Sequence, residues 1–118
     1  MQLMANHSEE GDVDCLGVFD HAVKLFPASV GKVPHMGWNQ LHHDGSHPLL
    51  QGVESGAYCY FVHSYYCAPT QSESVIATTD YGESFCSIVS YGNVHGLQFH
   101  PEKSHEIGLR ILQNFIDL

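Results

Sequence analysis

The chain has 118 residues, enough for one domain or most of one. Hydrophobic residues make up 43% of it and charged residues 14%, the balance of a packed domain rather than a disordered tail. Against 13 acids stand only Lys24, Lys32, Lys103 and Arg110, and the resulting charge of −9 repels phosphate backbones and argues against nucleic-acid binding.

No apolar run approaches the roughly 20 residues of a membrane span. The first ten residues, Met1 to Glu10, place no basic region before an apolar stretch and do not read as a signal peptide. Residues 2–6 suit one turn of helix, and the acidic stretch Ser8 to Asp14, with Gly11, reads as a solvated loop. Val18 to Phe26 stops at Pro27 and predicts a short strand near Ala22–Phe26. Between Val33 and Leu41, Pro34 and Gly37 exclude a regular helix, and polar His42 to Pro48 reads as a loop. The aromatic run Tyr58 to Tyr65 predicts one buried strand. Three more follow at Ser74–Thr79, Phe85–Tyr91 and Val94–Phe99, broken at Asp80-Tyr81-Gly82 and at Gly92-Asn93, a good hairpin turn. The chain closes on its one convincing helix. Ser104 is placed to cap it, Glu106 sits in its first turn, and Ile107, Ile111, Leu112, Phe115 and Ile116 repeat at helical spacing.

Cys15, Cys59, Cys67 and Cys86 form no C-x-x-C pair and read as reduced thiols of a cytoplasmic protein. Of the ten histidines, His42, His43 and His47 cluster in the polar loop. Without H-E-x-x-H or a Cys/His ligand pattern they read as solvated, and no metal is expected.

His100 and Glu102 carry the strongest chemical signal. They flank Pro101 just after a predicted strand, and in extended chain residues i and i+2 project to one side. A carboxylate beside an imidazole holds its tautomer and stabilises the imidazolium, as a base that activates a nucleophile requires. Taken alone, His-Pro-Glu reads as an ordinary turn.

Its context does not. Gly92 to Ser104, ending Gly-Leu-Gln-Phe-His-Pro-Glu-Lys-Ser and followed by a helix, resembles the closing motif of class I glutamine amidotransferases. Lys32 to Asn39, Tyr60 to Tyr65 and Ala77 to Gly82 narrow the resemblance to the glutaminase subunits of imidazole glycerol phosphate synthases. It covers nearly the whole chain. The fold it implies is α/β, with residues 1–118 the strand-rich C-terminal part, closed by a helix, of one flavodoxin-like amidotransferase domain. The activity it implies is hydrolysis of glutamine to glutamate and ammonia, through a Cys-His-Glu triad with His100 and Glu102 as second and third members. No cofactor is implied. The partner implied is a (β/α)8-barrel cyclase subunit, in a heterodimer that makes imidazole glycerol phosphate and a purine precursor.

Residue by residue, the resemblance assigns Gln2, Glu10, Ser64 and Tyr65 to substrate binding. It assigns Met36, Trp38, Asn39, Tyr60 and Lys103 to the partner interface, although a core role explains Trp38 and Tyr60 equally well. Met1-Gln2-Leu3 matches the tail of the nucleophile elbow, so the cysteine and the oxyanion donors are expected to precede Met1. Two further readings stay open. One is another class I amidotransferase, of anthranilate or guanylate synthesis, against which the Pro34-to-Asn39 segment argues. The other is a non-catalytic interaction fragment, which the missing nucleophile favours.

Overall fold

The computed structural model describes residues 1–118 as nine strands and one long helix. The strands are β1 (His7–Ser8), β2 (Val13–Asp14), β3 (His21–Leu25), β4 (His35–Gln40), β5 (Tyr58–His63), β6 (Tyr65–Pro69), β7 (Val75–Asp80), β8 (Ser84–Tyr91) and β9 (Val94–Leu97); the helix is α1 (His105–Ile116). Seven strands form one mixed sheet in the order β2-β1-β3-β6-β8-β7, with β9 also paired to β8. Only β1 and β3 run parallel. β4 and β5 form a separate antiparallel pair, hooked to β7 by two backbone bonds between His42 and Thr78 of 2.8 and 3.0 Å. The expected α/β architecture, strand-rich with a terminal helix, is what forms. No helix is long and apolar enough to cross a membrane.

The strands from β7 onward fall within about two residues of expectation, because glycines bound each run. Gly92 takes φ 60° at the hairpin between β8 and β9, a conformation that favours glycine.

Upstream, pairing overrides the local pattern. The run Tyr58–Tyr65 is two strands, not one: β5 belongs to the small sheet, β6 to the large one, and the chain switches between them at Ser64. Nor is β5 buried on both faces. Cys59, Phe61 and His63 point inward, while Tyr58 and Val62 are exposed. Val33–Leu41 contains a strand that sequence reading missed, because β4 gains its order from six residue pairs with β5. The acidic loop is a small hairpin in which the His7 imidazole sits 2.9 Å from Asp12 and 3.0 Å from Asp14.

Phe61, Leu41, Leu49, Leu50, Ile88, Phe99 and Ile111 form the centre of the core. Ile111 is fully enclosed, which contributes roughly 1.5–3 kcal/mol relative to exposure. The Asn114 amide donates to the carbonyls of Leu49 and Gln51 at 2.9 and 2.8 Å. That ties α1 to the short turn Pro48–Leu50 between β4 and β5. Of the predicted apolar stripe, Ile107 also packs against this core, while Leu112, Phe115 and Ile116 are exposed.

Candidate active site at the end of strand β9

After β9 the chain buries Phe99 in the core and ties the next residue down. The His100 N–H donates to the Tyr60 carbonyl on β5 at 3.0 Å. Pro101 then opens a short 3-10 turn, Pro101–Lys103, which swings Glu102 back beside the imidazole. The Nδ1–H of His100 meets Oε1 of Glu102 at 2.8 Å. The expected pairing is therefore present, but a turn makes it, not extended chain. With its Nδ1 proton on the carboxylate, the imidazole presents a free Nε2 lone pair. The Glu102 carboxyl is held below the usual range, first by its own backbone N–H and then by His100. It stays ionised at neutral pH and can stabilise an imidazolium.

His100 lines an open cleft of about 530 Å³. Gln2, Glu10, Ser64 and Tyr65 line it too, so all four residues that the resemblance assigns to substrate binding share this space with His100. The Gln2 amide donates to the Tyr65 carbonyl at 2.9 Å and to Oε1 of Gln98 at 3.0 Å. Gln98 was not singled out from sequence. Its place directly before Phe99-His100 was the available signal.

None of the four cysteines lines the cleft. Cys59, Cys67 and Cys86 are buried, and burial pushes their thiols up to about 11, 12 and 12. Cys15 packs beside Val23 and Cys67, away from His100. A nucleophilic thiol needs a depressed pKa and a place on the cleft; the three buried thiols have neither, and Cys15 does not line the cleft.

Behind the cleft lies a feature with no counterpart in the sequence reading. His63 and His35 face each other across β5 and β4, both nearly fully buried. Nδ1 of His63 can only donate to the Tyr65 carbonyl, at 2.8 Å, which leaves its Nε2 to accept from Nδ1 of His35 at 2.8 Å. Nε2 of His35 accepts in turn from the Asn39 amide at 3.1 Å. The bonds run one way, and both rings must be neutral. Burial lowers both pKa values, that of His35 to about 4.

The residues assigned to a partner divide by strand face. Met36 and Trp38 are exposed on β4, and Tyr60 lies opposite Trp38 on β5, with ring centroids 5.8 Å apart. Nζ of Lys103 stands 6.0 Å above the Tyr60 ring. Asn39 does not join them; its amide turns to His35 and to the Asp80 carbonyl. In the polar loop, His47 bonds to Ser90 and to the Leu49 N–H, and no group of three His, Cys, Asp or Glu side chains is arranged to hold a metal ion.

A histidine paired with a carboxylate just past a strand end, on a cleft beside an α/β sheet, has the geometry of an acid–base pair. The chain belongs to the class-I glutamine amidotransferase family, which it matches over residues 1–118. It is 54% identical to the imidazole glycerol phosphate synthase subunit HisH of Archaeoglobus fulgidus, over 100% of this chain and 60% of that protein. It is 49% identical to the same subunit of Acinetobacter baylyi, over 99% of this chain and 58% of the relative. The subunit of Dehalococcoides mccartyi is 47% identical, over 100% of this chain and 58% of the relative. The chain thus spans about three fifths of the length of these curated relatives.

Proposed function

We propose that residues 1–118 form the C-terminal, acid–base part of one glutaminase domain, acting in the cytoplasm as part of an imidazole glycerol phosphate synthase. The observation that carries this is the His100–Glu102 pair at 2.8 Å on the edge of a cleft shared with Gln2, Glu10, Ser64 and Tyr65. Two supports come from outside the site: the family match and the likeness to HisH subunits.

The reaction needs a thiolate that these 118 residues do not bring to the cleft, so it is contributed from outside them. His100 takes the thiol proton at Nε2, and the thiolate attacks the side-chain amide carbon of glutamine, whose oxygen becomes an oxyanion. As the C–N bond breaks, protonated His100 gives its Nε2 proton to the leaving nitrogen, which departs as ammonia. His100 then takes a proton from water, hydroxide adds to the thioester, and glutamate leaves as the thiolate reforms. Glu102 holds the Nδ1 tautomer and the imidazolium throughout. Ammonia passes to the cyclase subunit, whose docking face is the Met36, Trp38, Tyr60 and Lys103 surface.

The cysteine geometry favours one other reading, in which the chain binds its partner without catalysing anything. A chimera separates the two. The segment of the Archaeoglobus relative that precedes the matched region is joined to Met1, and glutamate release is measured with and without cyclase. The chimera should hydrolyse glutamine, and the 118-residue chain alone should not. Turnover by the chain alone that disappears on Cys→Ser at one of its own cysteines would overturn the assignment, and an inert chimera would favour the binding role.

A further inference from the structure

We propose that Ser104 and Gly108 are positioning residues for His100, a clamp that fixes the Pro101 turn against β5 and α1. The inference rests on reading His100 and Glu102 as the acid–base pair.

Ser104 occupies the N-cap position of α1, where a serine hydroxyl ordinarily accepts from an N–H of the first helical turn. It makes no such bond. Its Oγ, 1% exposed with the rest of the residue, donates to the His100 carbonyl at 2.7 Å and accepts from the Tyr60 N–H at 3.0 Å. The His100 N–H donates to the Tyr60 carbonyl at 3.0 Å, which closes a ring of three bonds through His100, Tyr60 and Ser104. Both backbone polar groups of His100 are thus held, and its carbonyl also accepts from the Lys103 N–H at 3.0 Å. A hydroxyl diverted from its local helical role to a distant strand and the base's own carbonyl serves the placement of that base.

Gly108 supplies the second jaw. It lies within α1, where glycine is disfavoured relative to alanine, and its backbone needs no left-handed conformation. A Cβ built there would fall 1.8 Å from the Pro101 carbonyl oxygen and 2.7 Å from its carbon. Only a residue without a side chain lets the helix approach the turn this closely. Between the jaws, His105 takes φ 50°, a left-handed conformation that costs a non-glycine residue and persists where the surroundings impose it. The turn is therefore gripped on both sides of Glu102. The pair itself is half-exposed and could not hold its own geometry.

The ring tautomer of His100 reports the clamp without any need for turnover. Long-range proton–nitrogen NMR on the 118-residue chain near neutral pH should find the proton on Nδ1, facing Glu102. In Ser104→Ala the turn loosens, and the ring should become a mixture of both tautomers. Ile107→Val, which trims the same helix but leaves the hydroxyl, should lower the melting temperature and leave the His100 tautomer unchanged. Should Ser104→Ala not fold, Ser104→Cys keeps the volume with weaker bonds and is expected to shift the tautomer in the same sense. In the chimera, Ser104→Ala should lower kcat by about 10²-fold with KM little changed, the scale of a misplacement of about 1 Å. An Nδ1–H tautomer in the wild type that persists in Ser104→Ala overturns the clamp and leaves the acid–base pair standing. A wild type without that tautomer overturns the acid–base reading, and the clamp with it.

Discussion

Two histidine pairs lie within one short stretch of this fold, and they illustrate how surroundings decide what an imidazole does. His100 donates from Nδ1 to a carboxylate, is half-exposed, and keeps a free Nε2 on an open cleft. His35 donates from Nδ1 to a second imidazole, is buried, and has its Nε2 already occupied by Asn39. The first arrangement sets a carboxylate against Nδ1 and leaves Nε2 open to the cleft. The second penalises an added proton, because either ring, once charged, would present a proton where its neighbour also has one. The same side chain is thus open to a ligand at the end of β9 and a structural polar link between β4 and β5.

Perturbing each partner breaks that contrast in a different currency. Removing the charge from the first pair should act on the reaction. In the chimera, Glu102→Gln leaves a hydrogen-bonding group of equal size but cannot stabilise the imidazolium. Steady-state glutamate release should fall by roughly 10²-fold, and the nucleophile should still react with an alkylating agent. Removing a ring from the second pair should act on stability. His63→Leu leaves the His35 Nδ1–H buried without an acceptor, a loss of about 2 kcal/mol in denaturant unfolding. His35→Leu in the same background should then cost much less than it does alone, and additivity of the two would break the link.

Acid sharpens the contrast further. The folded-state pKa of His35 lies at about 4, against 6.5 for an unperturbed imidazole, so between those values the unfolded chain binds more protons than the folded one. The stability held by neutral His35 is complete above about pH 6.5 and is lost as pH falls towards 4. That loss should be on the order of 1–2 kcal/mol, seen as a falling melting temperature, and His35→Leu should flatten it. The smallest effect belongs to the surface. Lys103→Ala should change stability by under about 0.5 kcal/mol and leave basal turnover intact while weakening the complex with cyclase, which titration calorimetry would read.

How much of this was legible follows from where the information sits. His100 and Glu102 could be named because neighbouring residues surround them with a recognisable motif, and β7, β8 and β9 because glycines punctuate them. The His35–His63 link could not. Its members are 28 residues apart and meet only through the β4–β5 register, while β4 itself, with Gly37 amid His, Met, Trp, Asn and Gln, has little strand character of its own. The break at Ser64 was hidden for a related reason: an unbroken aromatic run says nothing of which sheet each half will join. Ser104 was legible as a helix cap by position, and its real bonds were not, since Tyr60 lies 44 residues away. The cleft was readable through resemblance alone, because Gln2 and Gln98 meet across 96 residues.

The central claim is that His100 moves the proton for glutamine hydrolysis, and one measurement tests it most directly. Glutamate production is followed at saturating glutamine and with cyclase bound, for the chimera and for its His100→Ala variant, after circular dichroism has established that both fold. General acid–base catalysis by a positioned histidine is worth about 10²–10⁴-fold. The variant should lose that much of kcat, because His63, the other imidazole on the cleft, has both ring nitrogens already bonded. Near-normal turnover by the folded His100→Ala chimera would contradict the account at its mechanistic centre.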